Sequence, residues 1–314
     1  MTCTPLVSFI IYVCDTDSDK LRKCIESILA LSLGAHEREI IVADDGSDVY
    51  TLQGLAEYAD RILYLRKCRE GASSMRNMAL RMATGRFVQF MDGDGLLLRA
   101  PYEHCLDIVR YHNPDVVLFK RTANAAKGRT PFAYTGPMTG SEFMLNNTLR
   151  TAETGYIFGR SALGNLRFNA DIMVGDDEFM PQLFLRSERF YTTDSYAYLC
   201  AGPGARGGMS SAWCDDMERI FADTERTLVR LHTMVVPEAD RLALNRRTAQ
   251  LTVDYLCDII RRTHDAGRLN AAIDRLADRG LYPLPDREYS KRYRYFRKMI
   301  GNRITRRLLF VLIK

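Results

Sequence analysis

The chain has 314 residues and a mass of 35.9 kDa, more than one average domain of about 100–200 residues, and this length suits a large α/β domain with an appendage. Hydrophobic residues make up 46% and charged residues 26%, with 21 Gly and 10 Pro, which excludes collagen-like, low-complexity and wholly disordered proteins. The net charge is +5, but residues 287–314 hold ten basic residues and one acidic residue, so the remaining residues have a net charge of −4. This distribution indicates that the C-terminal segment contacts an anionic surface, and it argues against a nucleic-acid-binding protein.

The first 120 residues alternate short apolar runs with amphipathic stretches, the pattern of βα units around a mostly parallel sheet. Strands are predicted over 6–13, 39–43, 61–65, 86–91 and 116–119. Helices are predicted over 19–33, with Asp17 or Ser18 as the cap, and over 51–58, 73–83 and 102–111. Two acidic clusters, 44–47 and 92–95, each follow a strand directly. Because open α/β sheets bind ligands at the carboxyl ends of their strands, we expect both clusters in one crevice.

Regular patterns weaken after Lys120. Residues 123–140 read as loop or irregular strand, helices are predicted over 141–149 and 176–187, and strand signals cover 190–193 and 196–200. Residues 202–208 are a glycine-rich breaker, and the chain beyond Trp213 has helical patterns to its end. These changes predict a domain over residues 1–212 and a helical region over residues 213–314.

The distribution of cysteines and apolar residues bears on the compartment. No apolar run reaches the roughly 18–20 residues of a spanning helix, and the N-terminal apolar stretch lacks the flanks of a signal peptide. No two of the eight cysteines lie closer than ten residues, and the five histidines have no metal-binding spacing. We expect a reduced, cytoplasmic protein.

Several side chains in these clusters suit phosphate and metal chemistry. Asp92 and Asp94 lie two apart around Gly93, whose small size lets a ligand approach the backbone, and such carboxylates hold Mg²⁺ or Mn²⁺ together with substrate phosphates. Arg76 would lie near a helix start, where it can bind a diphosphate. Taken singly, each feature also has a purely structural explanation. The Asp92-Gly93-Asp94 segment could be a turn that caps the next helix, and Arg76 could lie on a solvated helix face.

In this order and spacing, four segments together resemble the family 2 glycosyltransferases of GT-A fold. The segments are Leu6-Val7-Ser8-Phe9-Ile10-Ile11, Asp44-Asp45-Gly46-Ser47, Gly71 through Arg76-Asn77, and Ala83 through Asp94. The resemblance covers residues 5–120. It extends more loosely to Gly175-Asp176-Asp177-Glu178-Phe179, similar to the family's Glu-Asp motif, and to residues 202–211, similar to an acceptor-side loop. It implies a Rossmann-like mixed sheet flanked by helices, with the helical C-terminal region as an extension.

The resemblance also implies a function. It is the inverting transfer of a hexosyl or N-acetylhexosaminyl group from a nucleotide-diphosphate sugar, usually UDP-linked, to an acceptor hydroxyl in bacterial surface polysaccharide synthesis. The acceptor would be a glycan or a lipid-linked glycan.

The same resemblance assigns roles to particular residues. Asp44 and Asp45 would contact the nucleoside, with Tyr12, Val13 and Asp15 as the wall beside the base. Arg76 would bind the diphosphate, Asp92 and Gly93 the nucleotide sugar, and Asp94, with Asp92, the Mg²⁺ or Mn²⁺ ion. Asp177 would be the catalytic base, which removes the proton from the acceptor hydroxyl.

Three departures from the family pattern qualify these roles. Tyr12-Val13-Cys14-Asp15 stands where Pro-Val-Tyr-Asn is usual, Gly95 where many members have Asp, and Asp176-Asp177 where Glu-Asp is usual. An acidic first turn is also favoured by the helix dipole, which is the plain alternative for Asp176 and Asp177. The chain has no Gln-x-x-Arg-Trp motif, and this favours one sugar per encounter over processive synthesis.

Other functions fit less well. A degenerate member that binds nucleotide sugar or glycan without turnover is the main rival, and Cys14-Asp15 and Gly95 favour it. A nucleotidyltransferase would need a glycine-rich basic loop after the first strand, and a dehydrogenase would need GxGxxG there. Residues 12–18 contain no glycine.

The C-terminal segment has the pattern of a basic amphipathic helix. From Tyr293 the apolar residues Phe296, Ile300, Ile304, Leu308 and Leu312 recur every four residues among arginines and lysines. Two interpretations fit: residues 291–314 lie on an anionic membrane surface, at the inner face of the cytoplasmic membrane, or they pack on the catalytic domain or on a second copy of the chain in a homodimer.

Overall fold

A computed structural model describes residues 4–48, 51–127, 132–151, 154–172, 175–200 and 217–313. The chain forms two compact units, the first of residues 1–140 and 150–215, the second of residues 141–149 and 216–314. The predicted boundary after residue 212 lies outside the described residues. Residues 141–149, assigned above to the first domain, belong to the second unit. Within it Arg247 donates a hydrogen bond to the Leu149 carbonyl at 2.7 Å, which the local sequence does not indicate.

The first unit is built on a mixed sheet of nine strands. They are β1 Val7–Val13, β2 Arg38–Asp45, β3 Leu63–Lys67, β4 Phe87–Asp92, β5 Leu96–Leu97, β6 Val116–Thr122, β7 Tyr134–Met138, β8 Thr154–Gly159 and β9 Phe190–Leu199. The order is β3-β2-β1-β4-β8-β6-β9-β5, with β7 paired to β9. Strands β3, β2, β1 and β4 run parallel, whereas β8 is antiparallel to both of its neighbours.

The described residues form eleven helices. They are α1 Ser18–Leu29, α2 Ala72–Met82, α3 Arg99–His112, α4 Gly140–Asn146, α5 Arg160–Leu163, α6 Asp176–Leu185, α7 Met217–Thr233, α8 Glu238–Thr263, α9 Ala266–Asp278, α10 Lys291–Gly301 and α11 Arg303–Leu312. Of these, α4 and α7 to α11 lie wholly or mainly in the second unit. Short 3₁₀ turns cover Thr51–Tyr58 and Ala125–Lys127. None of the helices in the described ranges has the length and apolar character that crossing a bilayer requires.

The central strand β1 is buried along its whole length, because it lies between β2 and β4 and helices cover the sheet. Its β-branched and aromatic residues suit such a position. At its end Asp17 caps α1 by accepting hydrogen bonds from the N–H groups of Asp19 and Lys20. The first strands and helices thus follow the predicted order, and the predicted mixed α/β sheet flanked by helices, with a helical C-terminal region, is confirmed.

Two differences from the sequence prediction affect the site. Strand β8, which the sequence analysis did not identify, lies between β4 and β6 and separates these parallel strands. It is short and glycine-bounded, and its Gly155 packs so closely that an added Cβ would lie 2.2 Å from the Phe119 ring. Strand β6 continues to Thr122 beyond the predicted end at residue 119, so Arg121 belongs to the sheet.

The C-terminal basic segment forms two helices instead of the single predicted one. Asn302 has an extended backbone, ends α10 and caps α11 by accepting a hydrogen bond from the Ile304 N–H. The apolar stripe is thereby divided. Tyr293, Phe296 and Ile300 of α10 are buried, whereas Ile304 of α11 is 80% exposed.

Candidate functional site

The two acidic clusters lie on either side of the end of β1. In the sheet register Val13 is opposite Asp44 of β2, and Tyr12 is opposite Asp92 of β4. The carboxyl ends of three neighbouring parallel strands therefore form one edge, as the sequence predicted. The helix N-termini and loops that follow these strands surround this edge.

On the β2 side, Asp45 is fully buried and holds two segments together. Its carboxylate accepts hydrogen bonds from the Tyr12 hydroxyl at 2.9 Å and from the backbone N–H groups of Glu70 and Gly71 at 2.8 and 2.9 Å. Burial and the neighbouring Asp45 carboxylate raise the pKa of Tyr12, so its hydroxyl remains a neutral donor. These bonds fasten the start of α2 to β1.

Asp44 is also fully buried, and it shapes the turn that follows β2. It accepts hydrogen bonds from the Ser47 N–H at 2.9 Å, the Ser47 hydroxyl at 2.7 Å and the Tyr64 hydroxyl. Both carboxylates that the resemblance assigns to nucleoside contact thus lie in the interior and bind donors of the chain itself.

Asp15, next to the β1 end, has a left-handed backbone with φ of 51°. Its carboxylate accepts a hydrogen bond from the Asp48 N–H at 2.8 Å and forms an ion pair with Arg69. The Asp48 N–H and the Arg69 guanidinium lower the pKa of Asp15. The wall predicted from residues 12–15 is therefore tied to the β2 turn.

On the β4 side, the Asp92 carboxylate lies between two arginines. Arg121 donates to Asp92 Oδ2 at 2.9 Å, and Arg76 lies 4.0 Å from Oδ1. All three side chains are at least 87% buried. The Asp92 N–H donates to the Tyr198 hydroxyl at 2.9 Å, and Arg121 stacks over that tyrosine ring with 4.8 Å to its centroid. Charge on Asp92 is thus balanced within the protein.

The two glycines of this loop are packed closely. The Gly93 N–H donates to the Tyr12 carbonyl at 2.9 Å, and a Cβ there would lie 3.1 Å from the Thr16 side chain. At Gly95, where many family members have Asp, a Cβ would lie only 1.8 Å from the Tyr198 hydroxyl. Tyr198 therefore occupies the space that a side chain at this position would need.

Asp94 is half-buried, and its carboxylate makes no hydrogen bond or ion pair within the described residues. No three acidic, histidine or cysteine side chains converge on one point in those residues. Mg²⁺ and Mn²⁺ take oxygen ligands and can share one or two protein carboxylates with phosphate oxygens and water, and the carboxylates of Asp94 and Asp92 are donors of this kind.

The start of α6 brings two more carboxylates to this edge. Asp176 lies 3.3 Å from Arg76 and accepts a hydrogen bond from the Tyr156 hydroxyl at 3.4 Å. Asp177, the predicted base, accepts a hydrogen bond from the Thr151 hydroxyl at 2.7 Å. Asp176 is thus paired with Arg76, which also lies beside Asp92, whereas Asp177 is hydrogen-bonded to Thr151.

A small cavity of about 40 Å³ lies among these groups, lined by residues including Arg76, Asp92, Arg121, Tyr156 and Asp176. Three of the residues around Asp92 were not predicted from the sequence: Arg121, Tyr156 and Tyr198. Arg121 lies beyond the predicted end of its strand, and Tyr156 lies on the strand that was not predicted. Burial raises the pKa of both Tyr156 and Tyr198, so both hydroxyls stay protonated. The predicted acceptor-side loop, residues 202–211, lies outside the described residues.

Comparison with known proteins places the chain in a family. The sequence model described as "Glycosyl transferase family 2" matches residues 8–165, about half of the chain. This match spans β1 through β8 and contains the two acidic clusters and Arg76, and it ends before Asp176 and Asp177.

Curated relatives match over part of their length. The minor teichoic acid biosynthesis protein GgaB of Bacillus subtilis is 26% identical over 180 residues, which cover 54% of this chain and 20% of GgaB. The poly(ribitol-phosphate) beta-N-acetylglucosaminyltransferase TarS of Staphylococcus aureus is 25% identical over 219 residues, 66% of this chain and 38% of TarS. The match therefore spans less than half the length of either relative.

Solved structures share the fold. Residues 1–349 of S. aureus TarS in complex with UDP align with a TM-score of 0.64 and 18% identity, covering 98% of this chain and 90% of that one. The mannosyltransferase PcManGT from Pyrobaculum calidifontis, in complex with GDP-Man and Mn²⁺, aligns with a TM-score of 0.56 and 17% identity, covering 98% and 86%.

Proposed function

The chain belongs to glycosyl transferase family 2, and we propose that it transfers a hexosyl or N-acetylhexosaminyl group, with inversion, from a nucleotide-diphosphate sugar to an acceptor hydroxyl. The donor is UDP-linked, one sugar is added per encounter, and the product belongs to a bacterial surface polysaccharide. The names of GgaB and TarS and the UDP complex of TarS support this choice of donor and product.

The observation that carries the proposal is the charge arrangement at the end of β4. Arg76 and Arg121 lie beside Asp92, while the Asp94 carboxylate is half-exposed at the same turn. A departing nucleoside diphosphate develops negative charge, which buried guanidinium groups stabilise. We propose that Arg76 binds the diphosphate and that Asp92 and Gly93 border the donor sugar.

Asp94, with Asp92, would hold a Mg²⁺ or Mn²⁺ ion beside the diphosphate. When bound, such an ion neutralises charge on the diphosphate oxygens and so assists departure of the nucleotide. The Mn²⁺ complex of PcManGT supports a divalent ion in this fold. The role of the protein is to present the Asp94 carboxylate at a turn whose backbone is fixed by the Gly93 and Gly95 contacts.

The nucleoside would lie against the end of β1, beside Tyr12, Val13 and Asp15. Because Asp44 and Asp45 already bind donors within the chain, we propose that they act on the nucleoside by fixing this wall. Direct contact with the base would require Asp45 to exchange one of its bonds to the 70–71 backbone.

We propose Asp177 as the base that accepts the proton of the acceptor hydroxyl. The neighbouring Asp176 carboxylate is paired with the Arg76 guanidinium at 3.3 Å. Asp176 is therefore better suited to orient Arg76. The Thr151 hydroxyl, which donates to Asp177 at 2.7 Å, would hold the base in place.

The first experiment measures binding of UDP, GDP and CMP by calorimetry, with Mn²⁺ or with chelator. We expect metal-dependent binding of UDP to the wild type, loss of the metal dependence in Asp94→Ala, and wild-type behaviour in Asp60→Ala, which removes an exposed aspartate. No binding of any nucleotide under any condition would overturn the donor-site assignment.

Turnover separates the base from its neighbour. Asp177→Asn should lower the transfer rate by a factor of about 10²–10⁴ while nucleotide affinity stays unchanged. Asp176→Asn should weaken nucleotide binding through Arg76. If Asp177→Asn transfers sugar at the wild-type rate, Asp177 is not the base.

The rival function is binding of nucleotide sugar without turnover. It is favoured by the two arginines that neutralise Asp92, since this carboxylate is then less available to a metal ion. Metal-dependent hydrolysis of UDP-sugar by the wild type, absent in Asp177→Asn, would exclude this rival. Nucleotide binding without hydrolysis or transfer would favour it.

We further propose that α11 attaches the protein to an anionic membrane surface at the cytoplasmic face. Four apolar residues lie on one face of this helix and are 53–80% exposed: Ile304, Leu308, Val311 and Leu312. Arg303 and Arg307 are exposed on the same helix. Exposed apolar residues flanked by arginines suit the headgroup region of an anionic leaflet, where a lipid-linked acceptor would be found.

Vesicle sedimentation tests this attachment. The protein should bind phosphatidylglycerol vesicles and not phosphatidylcholine vesicles, and Leu308→Asp should abolish binding. Val235→Asp, at a residue 94% exposed outside α11, is the matched control and should bind like the wild type. Equal binding by Leu308→Asp would contradict the proposal, and a dimer in solution that Leu308→Asp dissociates would assign the face to a second copy.

A further inference from the structure

A second charged feature lies at the opposite edge of the sheet. An open cleft of about 760 Å³ is lined by five arginines: Arg81, Arg86, Arg160, Arg167 and Arg189. They come from the end of α2, the segment before β4, the start of α5, the loop after α5 and the segment before β9. The five arginines lie far apart in the sequence, and the fold brings them together.

The charged residues that line this cleft are all positive. None of its described lining residues is acidic, and none of the five arginines forms an ion pair within the described residues. Arg76 and Arg121 at the donor edge, by contrast, pair with Asp92 and Asp176. Clustered like charges repel one another, so five guanidinium groups without carboxylates favour an anionic ligand.

Three of the guanidinium groups are held in place by hydrogen bonds to a backbone carbonyl or to a side-chain amide. Arg160 donates to the Ala83 carbonyl at 2.9 Å, Arg167 to the Leu166 carbonyl at 2.7 Å, and Arg86 to the Asn113 side chain at 3.0 Å. Each guanidinium has five N–H donors, so most of them remain available to a ligand. Such positioning lowers the entropic cost of binding.

The cleft is separate from the donor site. Phe87, which lines the cleft, and Asp92 at the donor edge begin and end β4. Five residues at about 3.3 Å each place them roughly 16 Å apart along the strand. A ligand in the cleft therefore does not occupy the position assigned to the nucleotide.

The size and charge of the cleft select the ligand. A single phosphate has at most two negative charges and cannot engage five separate arginines across 760 Å³. Guanidinium groups match phosphate oxygens in bidentate geometry. Phe87 and Leu163, which also line the cleft, are buried apolar side chains, so its arginines supply the groups that bind an anion.

We propose that this cleft binds successive phosphate groups of a phosphodiester-linked anionic polymer. The site engages the polymer away from the reacting end and requires neither donor nucleotide nor turnover. It therefore stands or falls independently of the transferase proposal, because its test is made without nucleotide.

The test compares two double variants by calorimetry and by salt dependence. Arg81→Ala/Arg189→Ala removes two cleft arginines whose side chains make no hydrogen bond within the described residues, and the backbone hydrogen bonds of Arg189 do not depend on its side chain, so the fold should be unaffected. Arg61→Ala/Arg99→Ala removes two exposed arginines of the same unit outside the cleft and is the matched control. The probes are a synthetic glycerol-phosphate oligomer, inorganic phosphate and phosphatidylglycerol vesicles.

We expect the oligomer to bind the wild type and the control equally, and the cleft variant at least about tenfold more weakly, with affinity falling as salt rises. Inorganic phosphate should bind far more weakly than the oligomer. The proposal is overturned if the cleft variant binds the oligomer like the control, if inorganic phosphate binds as tightly as the oligomer, or if the cleft arginines are needed for vesicles but not for the oligomer.

Discussion

Gly95→Ala tests whether Tyr198 determines the shape of the acidic turn after β4. A Cβ at residue 95 would lie 1.8 Å from the Tyr198 hydroxyl oxygen and 2.3 Å from its Cζ. Non-bonded carbon contacts lie near 3.5–4.0 Å, so the ring has to move by more than about 1 Å. Tyr198 is 3% exposed and lies beneath Arg121, so it has no open space to enter.

The cost has two parts. Overpacking of a filled interior costs about 1–3 kcal/mol. Movement of the tyrosine also breaks the hydrogen bond that the Asp92 N–H donates to its hydroxyl at 2.9 Å. A buried N–H left without a partner costs about 1–3 kcal/mol more. Gly95→Ala should therefore lower the free energy of unfolding by about 2–6 kcal/mol.

Denaturant unfolding measures this loss, with two comparisons. Gly301→Ala is the matched control, because a Cβ at that helical position meets nothing within 4 Å, and it should change stability by about 1 kcal/mol or less, toward greater stability. Tyr198→Ala alone should cost about 3–5 kcal/mol, and adding Gly95→Ala to it should cost little more.

Two results would refute the reasoning about Gly95. One is a Gly95→Ala protein within about 0.5 kcal/mol of the wild type, as at an unconstrained surface position. The other is full additivity of Gly95→Ala and Tyr198→Ala, because two residues that compete for the same space must show coupling.

Three further predictions follow from the buried charges and thiols. Arg121→Ala should lower the free energy of unfolding by about 3 kcal/mol, because it leaves the mostly buried Asp92 carboxylate without its closest partner. A loss below about 1 kcal/mol in denaturant unfolding would contradict this prediction. The folded-state pKa of Asp15 is depressed, so its contribution to stability is present above its unfolded pKa of about 3.9 and is lost as pH falls through the folded value. Asp15→Asn should therefore reduce the loss of stability at acid pH when the free energy of unfolding is measured against pH. An acid loss equal to that of the wild type would exclude the effect. Among the described cysteines Cys68 is exposed, whereas burial raises the pKa of Cys105 to about 12. A thiol reagent near pH 8 should therefore label Cys68 before Cys105, as mass spectrometry of the labelled peptides would show. Early labelling of Cys105 would contradict its burial.

The sequence by itself determined the local structure of the first 120 residues and the place of the acidic clusters. Apolar β-branched runs such as residues 7–13 carry their own strand signal, and Asp17 its own cap signal, because both depend on neighbours in the chain. The two clusters then had to lie at strand ends. The roles of Asp94 and Asp177 rest on the resemblance to family 2 and remain predictions.

The tertiary structure decided which partners these side chains have. Arg121 of β6 meets Asp92 of β4 across the intervening strand β8, and Tyr198 comes from a strand about 100 residues along the chain. Short strands with glycine ends are stabilised by pairing with distant segments, so their own sequence carries a weak signal.

Contacts between segments distant in sequence also explain the other features that the sequence did not predict. The five arginines of the cleft are scattered between residues 81 and 189 and meet only in the folded sheet. The C-terminal stripe had a regular period, yet its division at Asn302 decides that α10 is buried and that α11 exposes apolar residues. Periodicity indicates that a helix has an apolar face. Only long-range packing determines what that face contacts, because burial depends on segments distant in sequence.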